Sequence, residues 1–403
     1  MSRILHVDEG TLKTWHAVLE DESVPVAQTR MVYTVNRATA AVLDKLAAAP
    51  RVGSLGLKFS AGWHEKNDRT KGYFDSEWGV PESWDSVILQ GPHLHVGTPF
   101  YKSPNPTMAS NKDWTAVDLE ALPPDAVPAT QYKPRGDRDA YDAAYGRWEG
   151  SSTPTSARLS YRIAWRTMAA NTGERTLMPG LIPPGAAHIH RVSSVGSPAF
   201  EAKSTAVVLA FLSSMVCDFL VRAVPKSDIL MSTLSRLPVV MDSPLRGELI
   251  ARIARLNCLT SAYARFWSEA TDTDWTASVP LRRADERRYA LVEIDAIVAI
   301  TLGISIDELI AIYRTQFPVL RGYDADEYLF DASGRIVPTE VRQAWKAARQ
   351  PADVASFPEN LRAVRHPESG RTHTYELPFR HLDRESDLRR AYSGFLVVSA
   401  NSA

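Results

Sequence analysis

The hydrophobic pattern of the chain changes near Ala199, and this change constrains the fold more than any other feature. From Arg51 to about Arg158, short apolar runs alternate with Gly, Pro, Asn and Asp and with many aromatic residues. This pattern is typical of strands and irregular loops. After Ala199, apolar residues recur at steps of three and four, the spacing of helices that bury one face. The sequence therefore predicts an α+β fold, with a mixed strand-and-loop region followed by a mainly helical region.

Four regions follow from this pattern: a helical lead-in at residues 1–50, a mixed α/β region at 51–200, a helical region at 201–350 and a C-terminal tail at 351–403. The stretch Gly136 to Ser156 is rich in Arg, Asp, Gly, Ser and Pro, which predicts an exposed loop and a hinge. The apolar run Phe395 to Val398 predicts a terminal strand in the tail.

Apolar spacing predicts the individual helices. They are expected at Asn36–Ala49, Lys203–Val224, Ser243–Thr271 and Ala284–Leu302. Ser305-Ile-Asp-Glu308 has the form of a capping box, in which the serine and the glutamate each satisfy a free backbone amide at the start of a helix. Pro318 is expected to end that helix.

Composition limits the classes of function and location. The 403 residues carry 46 Lys and Arg and a formal net charge of −1, so a surface that binds DNA must be a local patch. Cys217 and Cys258 are too few for a disulfide framework and are predicted to be packing residues. The segment Ser204 to Val221 is long enough to cross a membrane but contains Asp218, which favours a buried helix. With no signal peptide at the start, we expect a cytoplasmic protein without a membrane anchor.

Two patterns are compatible with metal chemistry. Glu201-Ala202-Lys203 matches part of a metal-dependent nuclease motif, but no acidic residue stands between Arg175 and Phe200 to complete it. The pairs His93/His95 and His188/His190 would place both rings on one face of a strand, as metal ligands or as hydrogen-bonded core residues. We favour the core interpretation for the histidines and an ordinary helix start for Glu201.

Several residues suit the binding of duplex DNA. Lys102, Asn111 and Lys112 stand among Pro and small residues, where loop side chains can reach phosphates. Further along, Arg side chains can fork onto guanine and Asn onto adenine. The candidates in that second stretch are Arg162, Arg166, Asn171 and Arg175.

The two arginines Arg162 and Arg166 are expected on the DNA-facing side of a helix or loop, because the apolar residues between them would face the core. The competing interpretation is a solvated helix face, with Glu174 paired to a neighbouring arginine.

Two long stretches resemble one family. They are W-D-S-V-I-L-Q-G-P-H-L-H-V-G-T-P-F-Y-K-S-P-N-P-T-M-A-S-N at Trp84–Asn111 and Y-R-I-A-W-R-T-M-A-A-N-T-G-E-R-T-L-M-P-G-L-I-P-P-G at Tyr161–Gly185. Together with shorter blocks at Gly62–Phe74, Asn111–Pro123 and Phe317–Asp324, they resemble the target-recognition half of type IIG-like adenine-specific DNA methyltransferases. These are fused restriction-modification or phage-defence enzymes. The resemblance extends from Arg51 to Pro318 or to about Lys346.

The sequence departs from the resemblance in its chemistry. The glycine-rich loop for the methyl donor and the Asn/Asp-Pro-Pro-Tyr/Phe loop that holds a flipped adenine are both missing. The resemblance therefore implies a module that binds double-stranded DNA but carries no catalytic residue, metal or cofactor of its own. S-adenosylmethionine is expected in a catalytic methyltransferase subunit, and other defence-system proteins are possible partners. The alternative is a structural or interaction subunit of a defence complex that reads no specific DNA sequence.

Overall fold

The computed structural model describes residues 7–20, 23–32, 37–148, 154–170, 172–223 and 227–401. Within these ranges the fold is α+β, with most strands before residue 197 and most helices after it. The predicted fold class and the change of pattern near Ala199 are therefore confirmed.

Helices are found in all four regions. Their bounds are α1 (Glu9–Leu19), α2 (Arg37–Ala47), α3 (Glu65–Thr70), α4 (Arg138–Ala144), α5 (Ala202–Ser213), α6 (Met215–Ala223), α7 (Met231–Leu234), α8 (Arg246–Asn257), α9 (Ala264–Thr271), α10 (Ala284–Thr301), α11 (Ile306–Gln316), α12 (Pro318–Gly322), α13 (Thr339–Ala347) and α14 (Arg384–Asn401). A π-helical turn follows α12 at Tyr323–Glu327.

The strands are short. They are β1 (Lys58–Ser60), β2 (Phe74–Gly79), β3 (Ile88–Leu89), β4 (Lys102–Pro104), β5 (Trp114–Ala116), β6 (Thr130–Pro134), β7 (Arg147–Trp148), β8 (Thr155–Ser156), β9 (Arg162–Arg166), β10 (Pro179–Ile182), β11 (Ala187–His188), β12 (Val192–Gly196), β13 (Leu329–Phe330), β14 (Ala363–Arg365), β15 (Thr372–Thr374) and β16 (Arg380–His381).

The largest sheet of the described ranges has the strand order β1-β12-β9-β10, and all its pairs are antiparallel. In its centre Ile163 of β9 pairs with Leu181 on one side and Val195 on the other. The strand β9 is buried along almost its whole length because α5 packs against β9 and β10. This burial explains why the Arg162–Arg166 segment is apolar at three consecutive positions.

The helix predicted at Lys203–Val224 is divided into α5 and α6, which meet at a bend of 56°. Ser214 lies between them in extended conformation, and its Oγ accepts a hydrogen bond from Cys217 N at 3.2 Å. Both helices are almost fully buried, as the sequence favours. In the described part of the chain no single helix has the length and apolar composition to cross a membrane, although this bent pair meets both criteria jointly.

The remaining helical predictions differ in accuracy. The pattern at Ser243–Thr271 predicts one helix, but the structure has two: α8 ends at Asn257, whose side chain accepts a hydrogen bond from Leu181 N at 2.9 Å, and α9 begins at Ala264. The capping box is confirmed: Glu308 N donates to Ser305 Oγ at 3.3 Å and Ser305 N donates to Glu308 Oε2 at 2.6 Å. The helix α11 then ends at Gln316, and Pro318 opens α12.

Two further predictions were wrong. The run Phe395 to Val398 is not a terminal strand, because it lies in α14, which packs along α10; Phe395 is buried there and the other three residues are exposed. The stretch Gly136 to Ser156 is not simply an exposed loop, since α4 and the hairpin of β7 and β8 bury three aromatic side chains there, Tyr141, Tyr145 and Trp148. Residues 149–153 of that stretch lie outside the described ranges.

The C-terminal segment packs back onto the mixed region. It has a small core of its own, which includes Leu329, Val341 and Phe357. His373 Nε2 lies 2.7 Å from Asp118 Oδ2, and both groups are buried. Through such contacts the segment that follows the π-helical turn is held beside strands β4 and β5.

Candidate functional site

Four of the residues predicted to bind DNA line one cleft. Lys102, Asn111, Lys112 and Arg166 meet around a space of about 480 Å³. The other described residues that line it are Pro92, His95, Tyr101, Trp114, Gly173, Glu174, Met178 and Tyr323. Three permanent cations and one carboxylate are therefore present among the described lining residues, so the cleft is locally basic on a chain whose net charge is −1.

The outer wall of the cleft is the hairpin formed by β4 and β5. Its connecting loop carries Asn111 and Lys112, which are both exposed. Asp113 organises this loop, because its carboxylate accepts hydrogen bonds from Asn105 Nδ2 at 2.8 Å, Thr107 Oγ1 at 2.5 Å and Ala109 N at 2.8 Å. The hydrogen bonds from Thr107 and Asn105 lower the pKa of Asp113. The loop is thus ordered without covering its two DNA-binding candidates.

Arg166 enters the cleft from the end of β9. Its guanidinium lies over the Tyr101 ring, 5.5 Å from the ring centroid, and donates a hydrogen bond to the carbonyl of Leu94. Burial lowers the pKa of Arg166, but an arginine stays protonated at neutral pH after any ordinary shift. Lys102 approaches the same ring, with Nζ 5.3 Å from its centroid. Tyr101 therefore holds two cations side by side at the cleft.

Glu174 lies at the floor of the cleft. His95 Nε2 is 3.1 Å from Glu174 Oε1, and the Tyr328 hydroxyl donates a hydrogen bond to Glu174 Oε2. Burial by itself raises the pKa of this carboxyl, but the contacts with His95 and Tyr328 outweigh it and lower the pKa of Glu174 to about 2. Glu174 is therefore an anion at neutral pH and acts only as an acceptor.

The inner wall comes from the π-helical turn Tyr323–Glu327. The turn brings Tyr323 to the cleft and Tyr328 to Glu174, and the two rings meet edge to face at 5.6 Å. Its position is held by Asp324, which accepts hydrogen bonds from Tyr313 at 2.8 Å and from Arg384 at 2.6 Å. Such π-helical turns occur frequently at functional sites. Tyr323 is 38% exposed, so one aromatic residue of the wall is accessible to a ligand.

The structure corrects the placement of Arg162. Arg162 and Arg166 lie on strand β9 and not on a helix or loop, and Arg162 has no exposed surface. Its guanidinium donates to the carbonyl of Ala186 and to Tyr145 Oη at 3.3 Å. The side chain is a core residue because both of its terminal nitrogens reach acceptors away from water, although its Nε has no hydrogen-bond partner among the described residues.

Arg175 is also a core residue. It is 5% exposed, and its Nε lies 2.7 Å from Asp218 Oδ2 in a buried ion pair. It further donates to the carbonyl of Ser213 at 2.7 Å, so it links the strand region to the bend between α5 and α6. Arg162 and Arg175 are therefore unavailable to DNA in this conformation. Asn171 lies outside the described residues.

In each of the two histidine pairs, one histidine is buried in the core and the other is not. His93 and His188 are fully buried, and burial lowers their pKa values to about 4 and about 3. His95 faces the cleft, whereas His190 stacks on His64 with ring centroids 4.9 Å apart. In the described ranges, no group of three or more His, Cys, Asp or Glu side chains is placed to hold a metal ion.

Glu201 and Lys203, which match part of a nuclease motif, do not form a metal site within the described residues. Lys203 Nζ lies 2.6 Å from Asp272 Oδ2, and Glu201 is the exposed residue before α5.

Sequence reasoning missed most of the aromatic and acidic lining of the cleft. His95, Tyr101 and Trp114 lie close in sequence to the predicted Lys102 and Lys112, whereas Tyr323 is distant, and nothing in the sequence predicts the π-helical turn that brings it there. Glu174 was considered as the partner of an arginine, but it contacts His95 and Tyr328. The sequence signal for this lining was the pair Tyr101-Lys102, since neighbouring aromatic and basic residues are common in sites that bind nucleic acids.

Comparisons with known proteins give no assignment for this site. No protein-family model matches the chain, and a search of curated proteins found no significant match.

Proposed function

We propose that the chain is the DNA target-recognition module of a split or multi-subunit adenine-specific DNA methyltransferase in bacterial restriction-modification or phage defence. In this proposal a separate subunit binds S-adenosylmethionine and carries out methyl transfer on adenine in the cytoplasm. This chain holds the duplex and reads its sequence. The family part of the proposal depends on the resemblance of Trp84–Asn111 and Tyr161–Gly185 to that class of enzyme.

The observation that carries the DNA-binding part is the convergence of four predicted residues on one cleft. Lys102 and Lys112 are spaced along the hairpin of β4 and β5, where both ammonium groups can neutralise phosphates. Asn111 stands beside them on an exposed loop, and an asparagine amide can pair with the edge of adenine in the major groove. Phosphate contacts fix the position of a duplex and base contacts provide its specificity.

The test compares two double variants of the full chain. K102A/K112A removes both lysines of the cleft, whereas K66A/K346A removes two exposed lysines that do not line it. Binding to a fluorescein-labelled duplex of mixed sequence is followed by anisotropy at low salt. We expect the first variant to bind about tenfold more weakly than the wild type, because each lost phosphate contact reduces the number of counterions that binding releases from the DNA. The second variant is expected to bind like the wild type.

The same comparison separates a second candidate function. A structural or interaction subunit is favoured by one observation, that Arg162 and Arg175 serve the core instead of a DNA surface. This second function predicts that both double variants bind DNA with equal affinity, at the level set by net charge alone. Equal weakening of both variants, or no binding by the wild type with or without its partner subunit, would favour this second function.

A further inference from the structure

The cleft has the size of a site for a single nucleotide. Its volume is about 480 Å³, within the range of roughly 300–1,000 Å³ that is usual for sites that enclose a small ligand. A duplex would contact its rim through Lys112 and Asn111 but would not reach Glu174 at the floor, since the side chain of Glu174 is only 16% exposed. A base that leaves the stack could reach the floor.

The lining has the three components that an unstacked nucleotide requires. Tyr323 and Trp114 provide aromatic surfaces, Lys102 and Lys112 provide cations, and Glu174 provides an acceptor below them. Base stacking on aromatic side chains and phosphate contact with lysines are the usual basis of single-strand binding. The loop with Asn111 and Lys112 is already ordered by Asp113, so little additional ordering is needed for binding.

The floor of the cleft distinguishes between the bases. Glu174 presents two carboxylate oxygens, each of which has one partner and capacity for another. Guanine carries two adjacent donors, N1–H and the 2-amino group, on the edge that a flipped base exposes. Adenine and cytosine offer one amino group next to an acceptor, and thymine offers one imino group between two carbonyls. A carboxylate therefore forms a bidentate pair with guanine alone among the four.

A second observation concerns Arg166. Its Nε is buried and makes no hydrogen bond within the described part of the chain, although the same guanidinium lines the cleft. The Nε atoms of Arg162, Arg246 and Arg288 also lack a hydrogen-bond partner in these ranges, so Arg166 differs from them in that its guanidinium lines the cleft. A small rotation of this side chain towards a ligand would pair its donors with an acceptor such as guanine O6.

We propose that this cleft binds one unpaired guanine nucleotide, with its Watson–Crick edge on Glu174, its ring against Tyr323 and Trp114, and its phosphate on Lys102 and Lys112. The inference rests on the proposed function where it takes the guanine from DNA. A free guanine nucleotide has the same recognition chemistry, and the experiment separates the two sources.

The first arm uses free nucleotides and the full chain. Calorimetry with dGMP, dIMP, dAMP, dCMP and dTMP measures the preference for the base. We expect dGMP to bind about tenfold or more tightly than dAMP, dCMP and dTMP. Inosine keeps N1–H but lacks the 2-amino group, so dIMP is expected between dGMP and the others, because it loses one charge-assisted hydrogen bond. No binding of dGMP, or equal binding of all five, would overturn the inference.

Three variants test the roles of the side chains. E174Q should remove the preference for dGMP over dAMP, because an amide presents one donor and one acceptor in place of two acceptors. Y323A should weaken all nucleotides to a similar extent, and Y323F should restore binding, since phenylalanine retains the stacking surface. The Tyr323 pair keeps the inference testable if E174Q alters the fold. A full preference for dGMP in E174Q, or undiminished nucleotide binding in Y323A, would contradict it.

The second arm uses duplexes with one extrahelical guanine, one extrahelical thymine or full pairing. Preference for the guanine bulge, lost in E174Q, supports DNA as the source. If paired DNA binds through Lys102 and Lys112 but neither the bulge nor dGMP is preferred, the guanine site is wrong and the proposed function stands. If dGMP binds and no DNA does, the site holds a free nucleotide and the proposed function fails.

Discussion

Glu174 determines the electrostatic character of the cleft at the scale of a single residue. A carboxylate in a poorly hydrated position is normally penalised, and its pKa would rise. Here the contact with His95 and the hydroxyl of Tyr328 reverse the effect and keep Glu174 charged. The cleft therefore keeps a buried anion beneath its cations, an arrangement suited to a ligand with an anionic phosphate at one end and hydrogen-bond donors at the other.

A first prediction concerns acid stability. The folded pKa of Glu174, about 2, lies below its ordinary value of 4.5, so the carboxylate stabilises the fold above pH 4.5 and loses this effect as the pH falls through about 2. The loss is on the order of 3 kcal/mol, because each pKa unit corresponds to about 1.4 kcal/mol. Between pH 4.5 and about 2, the free energy of unfolding should fall less in E174Q than in the wild type, as measured by urea denaturation at a series of pH values. A constant difference between the two proteins would contradict the prediction.

A second prediction separates two arginines of the same strand. R162Q should lower the free energy of unfolding by roughly 3 kcal/mol, because it leaves Ala186 O and Tyr145 Oη without their buried donor. R166Q should lower stability less and DNA affinity more, since Arg166 lines the cleft. Denaturation curves and anisotropy on the same samples provide both quantities. If R162Q is as stable as the wild type and binds DNA poorly, the core assignment of Arg162 is wrong.

Residue type alone could not distinguish these two arginines. They are four positions apart, which in a strand places both on the same face, and the apolar residues between them fit a strand as well as a helix. Arg162 is buried because Tyr145 and Ala186, distant in sequence, supply its acceptors. The accessibility of Lys102 and Lys112 was easier to predict, since a lysine among Pro and Asn residues is rarely buried, although Lys102 lies on strand β4 and not in a loop.

At the scale of elements, the hairpin of β4 and β5 depends on one carboxylate, and a third prediction follows. D113A should weaken DNA binding while thermal stability changes little, because the loop loses its bonds from Asn105, Thr107 and Ala109 and no longer holds Lys112 in place. Removal of a negative charge would by itself strengthen binding to DNA. Weaker binding therefore reports the loss of loop order. D125A removes an exposed aspartate outside the cleft and is the matched control.

The same prediction has a structural readout. Hydrogen exchange at Ala109 N should accelerate in D113A, since its acceptor is gone. Tighter DNA binding in D113A with unchanged exchange would show that Asp113 acts only as a charge.

Helix positions were predictable from the sequence, whereas breaks within helices were not. Apolar spacing located α10 at Ala284–Thr301 almost to the residue, and the capping box located the start of α11 at Ser305. The bend at Ser214 lies inside one continuous apolar run, so periodicity does not show it. The four apolar residues at Phe395 to Val398 fit a strand as well as a helix. In the structure the run lies in α14 with Phe395 buried and the other three residues exposed, a distribution that the sequence alone does not show.

At the scale of the whole molecule, the main core joins the strand region to the helices. It includes Trp84 and Ile163 of the mixed region together with Phe211, Ile297 and Phe317 of the helical region. The cleft likewise combines residues from Pro92 to Tyr323. The two predicted regions therefore contribute to one site, and the site requires that both be folded together.

A fourth prediction is that the chain alone does not bind S-adenosylmethionine. Sites for such cofactors lie at the carboxyl ends of parallel strands, beside a glycine-rich turn. The largest sheet in the described ranges is antiparallel, and the glycine spacing of the sequence matches no such turn. Calorimetry should detect no heat of binding for the isolated chain and a one-to-one complex once the catalytic subunit is added. Tight binding by the chain alone would overturn the division of labour that we propose.

A fifth prediction uses salt to count the phosphates held by the cleft. Because the net charge is −1, binding must depend on the local patch, and the affinity for duplex DNA should fall steeply with salt. Each neutralised phosphate contributes a slope of about −0.9 to a plot of log affinity against log salt. K102A/K112A should therefore reduce the magnitude of the slope by roughly 2, and K66A/K346A should leave it unchanged. If K102A/K112A lowers the affinity but keeps the slope, the two lysines act through the shape of the hairpin and do not contact phosphates.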